Sequence, residues 1–190
     1  MFEDEKGTYI LNPRDLCMID HLGDLMDAGV DCLKIEGRAK SAYYAANVAG
    51  AYLHVLDDVA AGRPADSVWR EEVEHVSHRR YSTGFFYGQP GQFTESSRYI
   101  RQWQICAVVE SCDADGNAVL SLRNKFSVGD EVEIVGPDCR PFAWTVGPME
   151  DMDGVKLSEV RTPQQRFRVK LPKCVPPLSF VRHAVELSGK

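Results

Sequence analysis

The first sixty residues carry two helical periodicities, each preceded by a short β-rich run. Gly7-Thr8-Tyr9-Ile10-Leu11 reads as a strand, and Asn12-Pro13 supplies a helix-capping side chain followed by proline at the first helical position. Leu16, Ile19, Leu22, Leu25 and Met26 then recur every three to four residues, and Gly29 offers a helix stop. The pattern repeats at once. Residues 30–36 alternate as a second strand, Gly37-Arg38 turns the chain, and a helix from Ser41 places Ala42, Ala45, Ala46, Ala49, Tyr52, Leu53 and Leu56 on one face. Strands alternating with helices predict a parallel sheet covered by helices, as in a TIM-type barrel or a doubly wound sheet. Two units close neither, so residues 1–62 are expected to need upstream barrel sequence, a partner or a second copy to cover the sheet edge.

Residues 63–100 read as a linker. They begin in the small, helix-breaking stretch Ala60-Ala61-Gly62-Arg63-Pro64-Ala65-Asp66-Ser67, continue through a short helix over residues 68–75, and reach a basic, aromatic segment at residues 76–88. After Tyr99 the period changes. Short β runs at residues 105–110, 118–122, 128–136, 142–146, 155–157 and 167–171 are separated by turn signals such as Asp115-Gly116 and Asp151-Met152-Asp153-Gly154. With no helical period between them, residues 101–190 are expected to form a small antiparallel barrel or sandwich. The fold class is thus α/β followed by β.

Composition narrows the function classes. A formal charge of −6 over 190 residues excludes a polyanion binder that relies on a broadly basic surface, while leaving room for a local basic patch. No stretch reaches the roughly 18 consecutive apolar residues of a membrane span, and the acidic start lacks a leader pattern, so a cytoplasmic protein without a membrane partner is expected. The six cysteines show no C-x-x-C pair and no metal-ligand spacing, which predicts small buried hydrophobes or inert thiols and no metal site. His21 and His54 fall on helix faces, and no serine, aspartate or histidine stands in a nucleophile or zinc motif.

Two segments carry candidate chemistry. Lys34 and Glu36 share one face of the second strand, opposite Leu33 and Ile35, with Arg38 close behind. In a barrel that strand end holds the active site, so these three are the catalytic candidates. The alternative is a structural Lys34–Glu36 ion pair with Arg38 solvated. The second candidate is a substrate or RNA contact made by Lys40, Tyr43, His78, Arg79, Arg80, Tyr81 and Phe85, since rings stack on bases and guanidinium groups pair with phosphates. Its alternative is an aromatic loop docked on a neighbouring core.

Several blocks, in order along nearly the whole chain, resemble the U32 peptidase ("collagenase-like") family. They include Glu3-Asp4-Glu5-Lys6-Gly7-Thr8-Tyr9-Ile10, Leu33-Lys34-Ile35-Glu36-Gly37-Arg38, Lys40-Ser41-Ala42-Tyr43-Tyr44 and Val76-Ser77-His78-Arg79. Thr83-Gly84-Phe85, Arg123-Asn124-Lys125-Phe126-Ser127-Val128-Gly129-Asp130-Glu131 and Pro163-Gln164-Gln165 continue the likeness. The resemblance implies a C-terminal segment: the last two β/α units of an incomplete TIM-like barrel, then the family's small β-barrel. It also implies either collagenase-like proteolysis or RNA hydroxylation, at the tRNA wobble uridine or on ribosomal RNA, with prephenate and an iron–sulfur cluster implicated. Under the same resemblance the cluster's cysteines lie upstream of the matched region, so this segment itself binds no cofactor. RNA or a protein substrate is the implied partner, with a non-catalytic binding module as a further alternative.

Overall fold

The computed structural model describes residues 14–90, 99–137 and 139–185, and the backbone of residues 2–4 and 7–9. Two compact units divide the chain, Met1–Arg101 and Gln102–Lys190.

The first unit opens with an antiparallel hairpin, β1 (Phe2–Asp4) and β2 (Gly7–Tyr9), in which Phe2 lies opposite Tyr9. The expected parallel strand at residues 7–11 is therefore a hairpin arm over Gly7–Tyr9. The proposed helix start at Asn12-Pro13 lies outside the described residues. Asp15–Leu16 forms β3, because the Asp15 and Cys17 amides donate to the carbonyls of Arg80 and Ser82, both at 3.0 Å. Helical structure begins only at a 3₁₀ turn, Ile19–His21, and continues as α1 (Leu22–Asp27). It stops at Gly29 as expected. Gly29 adopts φ +79, its amide donates to Met26 O, and the Val30 amide donates to Leu25 O, the paired bonds of a left-handed glycine cap.

Residues 30–36, expected as a strand, have no regular structure, and Val30 and Ile35 are exposed. An extended segment becomes a strand only when a neighbour supplies its hydrogen-bond ladder, and among the described residues none pairs with this one. α2 (Ala42–Ala60) follows, with the Ser41 side chain accepting from the Tyr44 amide at 3.2 Å, and then α3 (Ser67–Glu74), capped by Asp66. The buried stripe of α2 is Tyr43, Asn47, Val48, Ala51 and Val55, not the face expected from its periodicity, of which Ala42, Ala45, Ala46, Ala49 and Leu53 are exposed. The helix is apolar around most of its circumference, so period alone cannot select the buried side. The choice is made by α3, whose Glu72 carbonyl accepts from Asn47 Nδ2 at 2.7 Å, and by a core of Met18, Ile19, Leu22, Val55, Trp69 and Val73. β4 (Tyr81–Ser82) then pairs in parallel with β3.

The second unit is a mainly antiparallel eight-stranded sheet. In chain order its strands are β5 (Trp103–Cys112), β6 (Asn117–Leu122), β7 (Phe126–Ser127), β8 (Glu131–Gly136) and β9 (Cys139–Thr145), then β10 (Met149–Glu150), β11 (Lys156–Leu157), β12 (Glu159–Val160), β13 (Arg166–Lys170) and β14 (Phe180–Ala184). The spatial order is β11-β10-β13-β6-β5-β14-β8-β9, with β12 and β7 as a separate pair. The expected antiparallel β unit is present, and its ladder ends at β11 and β9. β13 shows the two-residue period plainly: Phe167 and Val169 are buried while Arg166, Arg168 and Lys170 face water. Phe167 packs edge-on against Phe126, ring centroids 5.6 Å apart, within a core that includes Leu120, Leu122, Ile134 and Val181. Both expected hairpin turns form. Asp113 accepts from the Asp115 and Asn117 amides at 3.0 and 2.8 Å, and Asp151 accepts from those of Asp153 and Val155 at 2.9 and 2.8 Å. Arg182, fully buried, pairs with Glu133 at 2.8 Å and lies 4.5 Å above the Trp103 ring, an internal ion pair that nothing in the sequence singled out.

Candidate nucleic-acid interface

The first unit gathers two cations on one carboxylate beside an exposed ring. β3 holds Asp15 next to the chain that leads into β4. There Asp15 accepts from the Arg79 amide at 2.9 Å, from its Nε at 2.8 Å and from its Nη2 at 2.7 Å. Lys40, just before the α2 cap, comes from the opposite side, with Nζ 3.9 Å from Asp15 Oδ2 and donating to the Ser77 carbonyl at 2.9 Å. The same ammonium lies 4.2 Å from the Tyr99 ring centroid and 5.1 Å from that of Tyr44, and the Arg79 guanidinium lies 5.8 Å from Tyr99. Burial pulls the Asp15 carboxyl upward, but the Arg79 hydrogen bonds and the charges of Arg79 and Lys40 outweigh it and hold the group below its ordinary value. Burial, followed by the Asp15 charge, raises the Tyr44 hydroxyl. One carboxylate thus lies between two cations, with exposed Tyr99 beside them.

A second feature of this unit is the turn after β4. Phe85, Phe86 and Tyr87 are all exposed, Phe85 at 79%. In this turn the Tyr87 hydroxyl donates to the Asp24 carboxylate, and its ring lies 4.6 Å from that of His21. That hydrogen bond first, and His21 second, hold Asp24 below its ordinary value. The three rings of this turn therefore lie at the surface.

The sequence candidates separate accordingly. Lys40 and Arg79 meet at Asp15. His78 is buried, with Nδ1 facing the Arg79 carbonyl at 2.6 Å, Nε2 3.1 Å from Glu74 Oε2, and the ring stacked on Tyr81 at 4.2 Å. Tyr81 donates to the Val73 carbonyl at 2.6 Å, and burial raises its hydroxyl. Tyr43 is also buried, its hydroxyl 3.5 Å from the His75 carbonyl. His78, Tyr81 and Tyr43 are thus packing positions, whereas Arg80 and Phe85 are exposed. Lys34, Glu36 and Arg38 are exposed on the segment without regular structure, where Glu36 Oε1 accepts from the Arg38 amide at 2.9 Å. Sequence reasoning missed Asp15, Tyr44 and Tyr99, because the site forms around Asp15 only when Lys40 and Arg79, 25 and 64 positions away, reach it, which no local period encodes. The acidic residue just before an apolar run was the only available signal.

Among the described residues no group of three or more His, Cys, Asp or Glu side chains is placed to hold a metal ion. Cys17 Sγ instead accepts from the Tyr52 hydroxyl at 3.7 Å, and burial pushes the Cys106 thiol up to about 12. No helix among the described residues is long and apolar enough to cross a membrane.

Residues 2–96 match Peptidase family U32, and residues 101–182 match the Peptidase family U32 C-terminal domain. A tRNA hydroxylation protein of Bacillus subtilis is 34% identical, over 96% of this chain and 45% of the relative. A tRNA hydroxylation protein of Escherichia coli is 38% identical, over 80% of this chain and 34% of the relative. A collagenase of Porphyromonas gingivalis is 30% identical, over 70% of this chain and 39% of that protein. The chain therefore spans less than half the length of these relatives. A solved C-terminal domain of a Geobacillus thermoleovorans protein described as a U32 peptidase superposes with a TM-score of 0.41 at 31% identity, covering 42% of this chain and 99% of that domain. With matches that run through both of its units, the chain belongs to Peptidase family U32.

Proposed function

We propose that this chain serves RNA hydroxylation, at the wobble uridine of tRNA, as the C-terminal part of a U32-family protein. The observation that carries the reading is the likeness to tRNA hydroxylation proteins over 96% of the chain. In this reading Lys40 and Arg79 contact the RNA backbone, and Phe85, Phe86, Tyr87 and Tyr99 take unstacked bases. Lys34, Glu36 and Arg38 face the reacting part of the substrate from the rim of a TIM-like barrel that this unit helps to build. The β unit, closing as a small barrel, docks RNA or protein. In this reading any iron–sulfur cluster is held by cysteines of a longer protein.

The test is the nucleoside content of tRNA from a strain lacking the gene. The hydroxylated uridine disappears and returns with the intact gene. A triple Phe85→Ala, Phe86→Ala, Tyr87→Ala variant lowers its level without loss of soluble protein. Unchanged tRNA in the deletion strain overturns the activity, and full rescue by the triple variant overturns the stacking surface. The collagenase likeness supplies a second reading, a collagenase-like protease. Gelatin hydrolysis by the purified full-length protein, with tRNA unchanged, is the outcome that favours it.

A further inference from the structure

Two cysteines of the β unit are brought side by side by a loop anchored at both ends. Cys112 ends β5, and Cys174 lies in residues 172–178, between β13 and β14. At one end of that segment the Leu171 amide donates to the Gly116 carbonyl at 2.8 Å. At the other, the Leu178 amide donates to Val109 O and the Val109 amide donates to Ser179 O, both at 2.8 Å. Between these clamps Val175 is buried in the core, and Pro172, Pro176 and Pro177 fix their φ angles. Cys174 consequently cannot drift away from β5. Its Sγ lies 3.7 Å from the Cys112 carbonyl oxygen, which places the two cysteines side by side. Cys112 is half-buried, whereas Cys174 is exposed.

We propose that Cys112 and Cys174 form a reversible dithiol/disulfide site whose oxidant is a low-molecular-weight disulfide. The exposed Cys174 thiolate attacks one sulfur of that disulfide, breaks its S–S bond and releases one small thiolate. Cys112, after giving up its proton, attacks Cys174 Sγ in the mixed disulfide, so that the Cys112–Cys174 bond forms and the second small thiolate leaves. Two electrons pass from the protein to the small disulfide, and the two protons lost by the cysteines end on the two released thiols. Burial raises the Cys112 thiol, so the closing step runs faster as pH rises. The bond ties the end of β5 to the β13–β14 connection. Exposure of one sulfur keeps it reducible, as expected of a regulatory pair rather than a buried staple. The site shares no residue with the proposed RNA contacts and stands or falls independently of them.

The experiment incubates the reduced chain with glutathione disulfide, quenches with acid and counts thiols in denaturant. The count is expected to fall from six to four, with loss of two hydrogens in the intact mass, a Cys112–Cys174 cross-link in the peptide map, and full reversal by dithiothreitol. Cys112→Ser is expected to stop at a glutathione adduct on Cys174. Retention of all six thiols, a persistent adduct on the unsubstituted protein, or a cross-link between other cysteines overturns the proposal.

Discussion

Asp15→Asn probes the junction on which the candidate interface is built. The carboxylate receives three hydrogen bonds from Arg79, at 2.9, 2.8 and 2.7 Å, and a fourth attraction from Lys40. Asparagine retains one acceptor oxygen but removes the charge and turns an amide NH₂ toward cations. Charged-group hydrogen bonds contribute about 1.5–3 kcal/mol each when desolvated, and the Arg79 side chain retains partial access to water, so the net loss is set at about 2 kcal/mol. Because β3 pairs only with β4 among the described residues, that loss is felt as easier local opening. Amide exchange of peptides containing Cys17 and Ser82 is then expected to accelerate about thirtyfold at neutral pH. The pH dependence has a defined sign. The folded carboxyl lies below the ordinary value of 3.8, so its contribution is fully present above that pH and is lost as pH falls through the depressed folded value, where the two proteins converge. Exchange of Asp15→Asn within twofold of the unsubstituted protein at neutral pH, or no coupling in a double-mutant cycle with Arg79→Gln, refutes the reasoning.

Gly116→Ala is expected to destabilise the β unit by about 1–3 kcal/mol in urea unfolding, because a left-handed backbone and a close approach coincide there. Its φ is +87, and an added Cβ meets the Leu171 carbonyl oxygen at 2.6 Å. Phe167→Ala removes a fully buried ring from contact with Phe126 and is expected to cost about 3–5 kcal/mol in the same assay. Cys106, wholly buried with its thiol raised, is expected to resist thiol reagents in the native protein and to react only on unfolding, as checked by mass-spectrometric footprinting.

Local signals carried well where a single residue or a short period settles the geometry. Gly29 stops α1 because glycine accepts positive φ, α2 starts behind Ser41, and the aspartate-glycine turns at residues 113–117 and 151–155 close hairpins. These features follow from the chemistry of a few adjacent side chains, and the sequence by itself determined them.

The tertiary structure decided what depends on distant partners. Residues 30–36 alternate like a strand yet have no ladder among the described residues, and α2 buries Tyr43, Asn47, Val48, Ala51 and Val55 because α3 lies on that side. Asp15 looked like part of a helix. It became the counter-ion of Arg79, 64 positions away, only because β3 found β4. Cys112 and Cys174, scattered in sequence, are brought together by a loop clamped to Gly116 and Val109. Periodicity records how a segment divides water from interior, but not which neighbour provides that interior; pairing, buried face and site are set when the neighbours arrive.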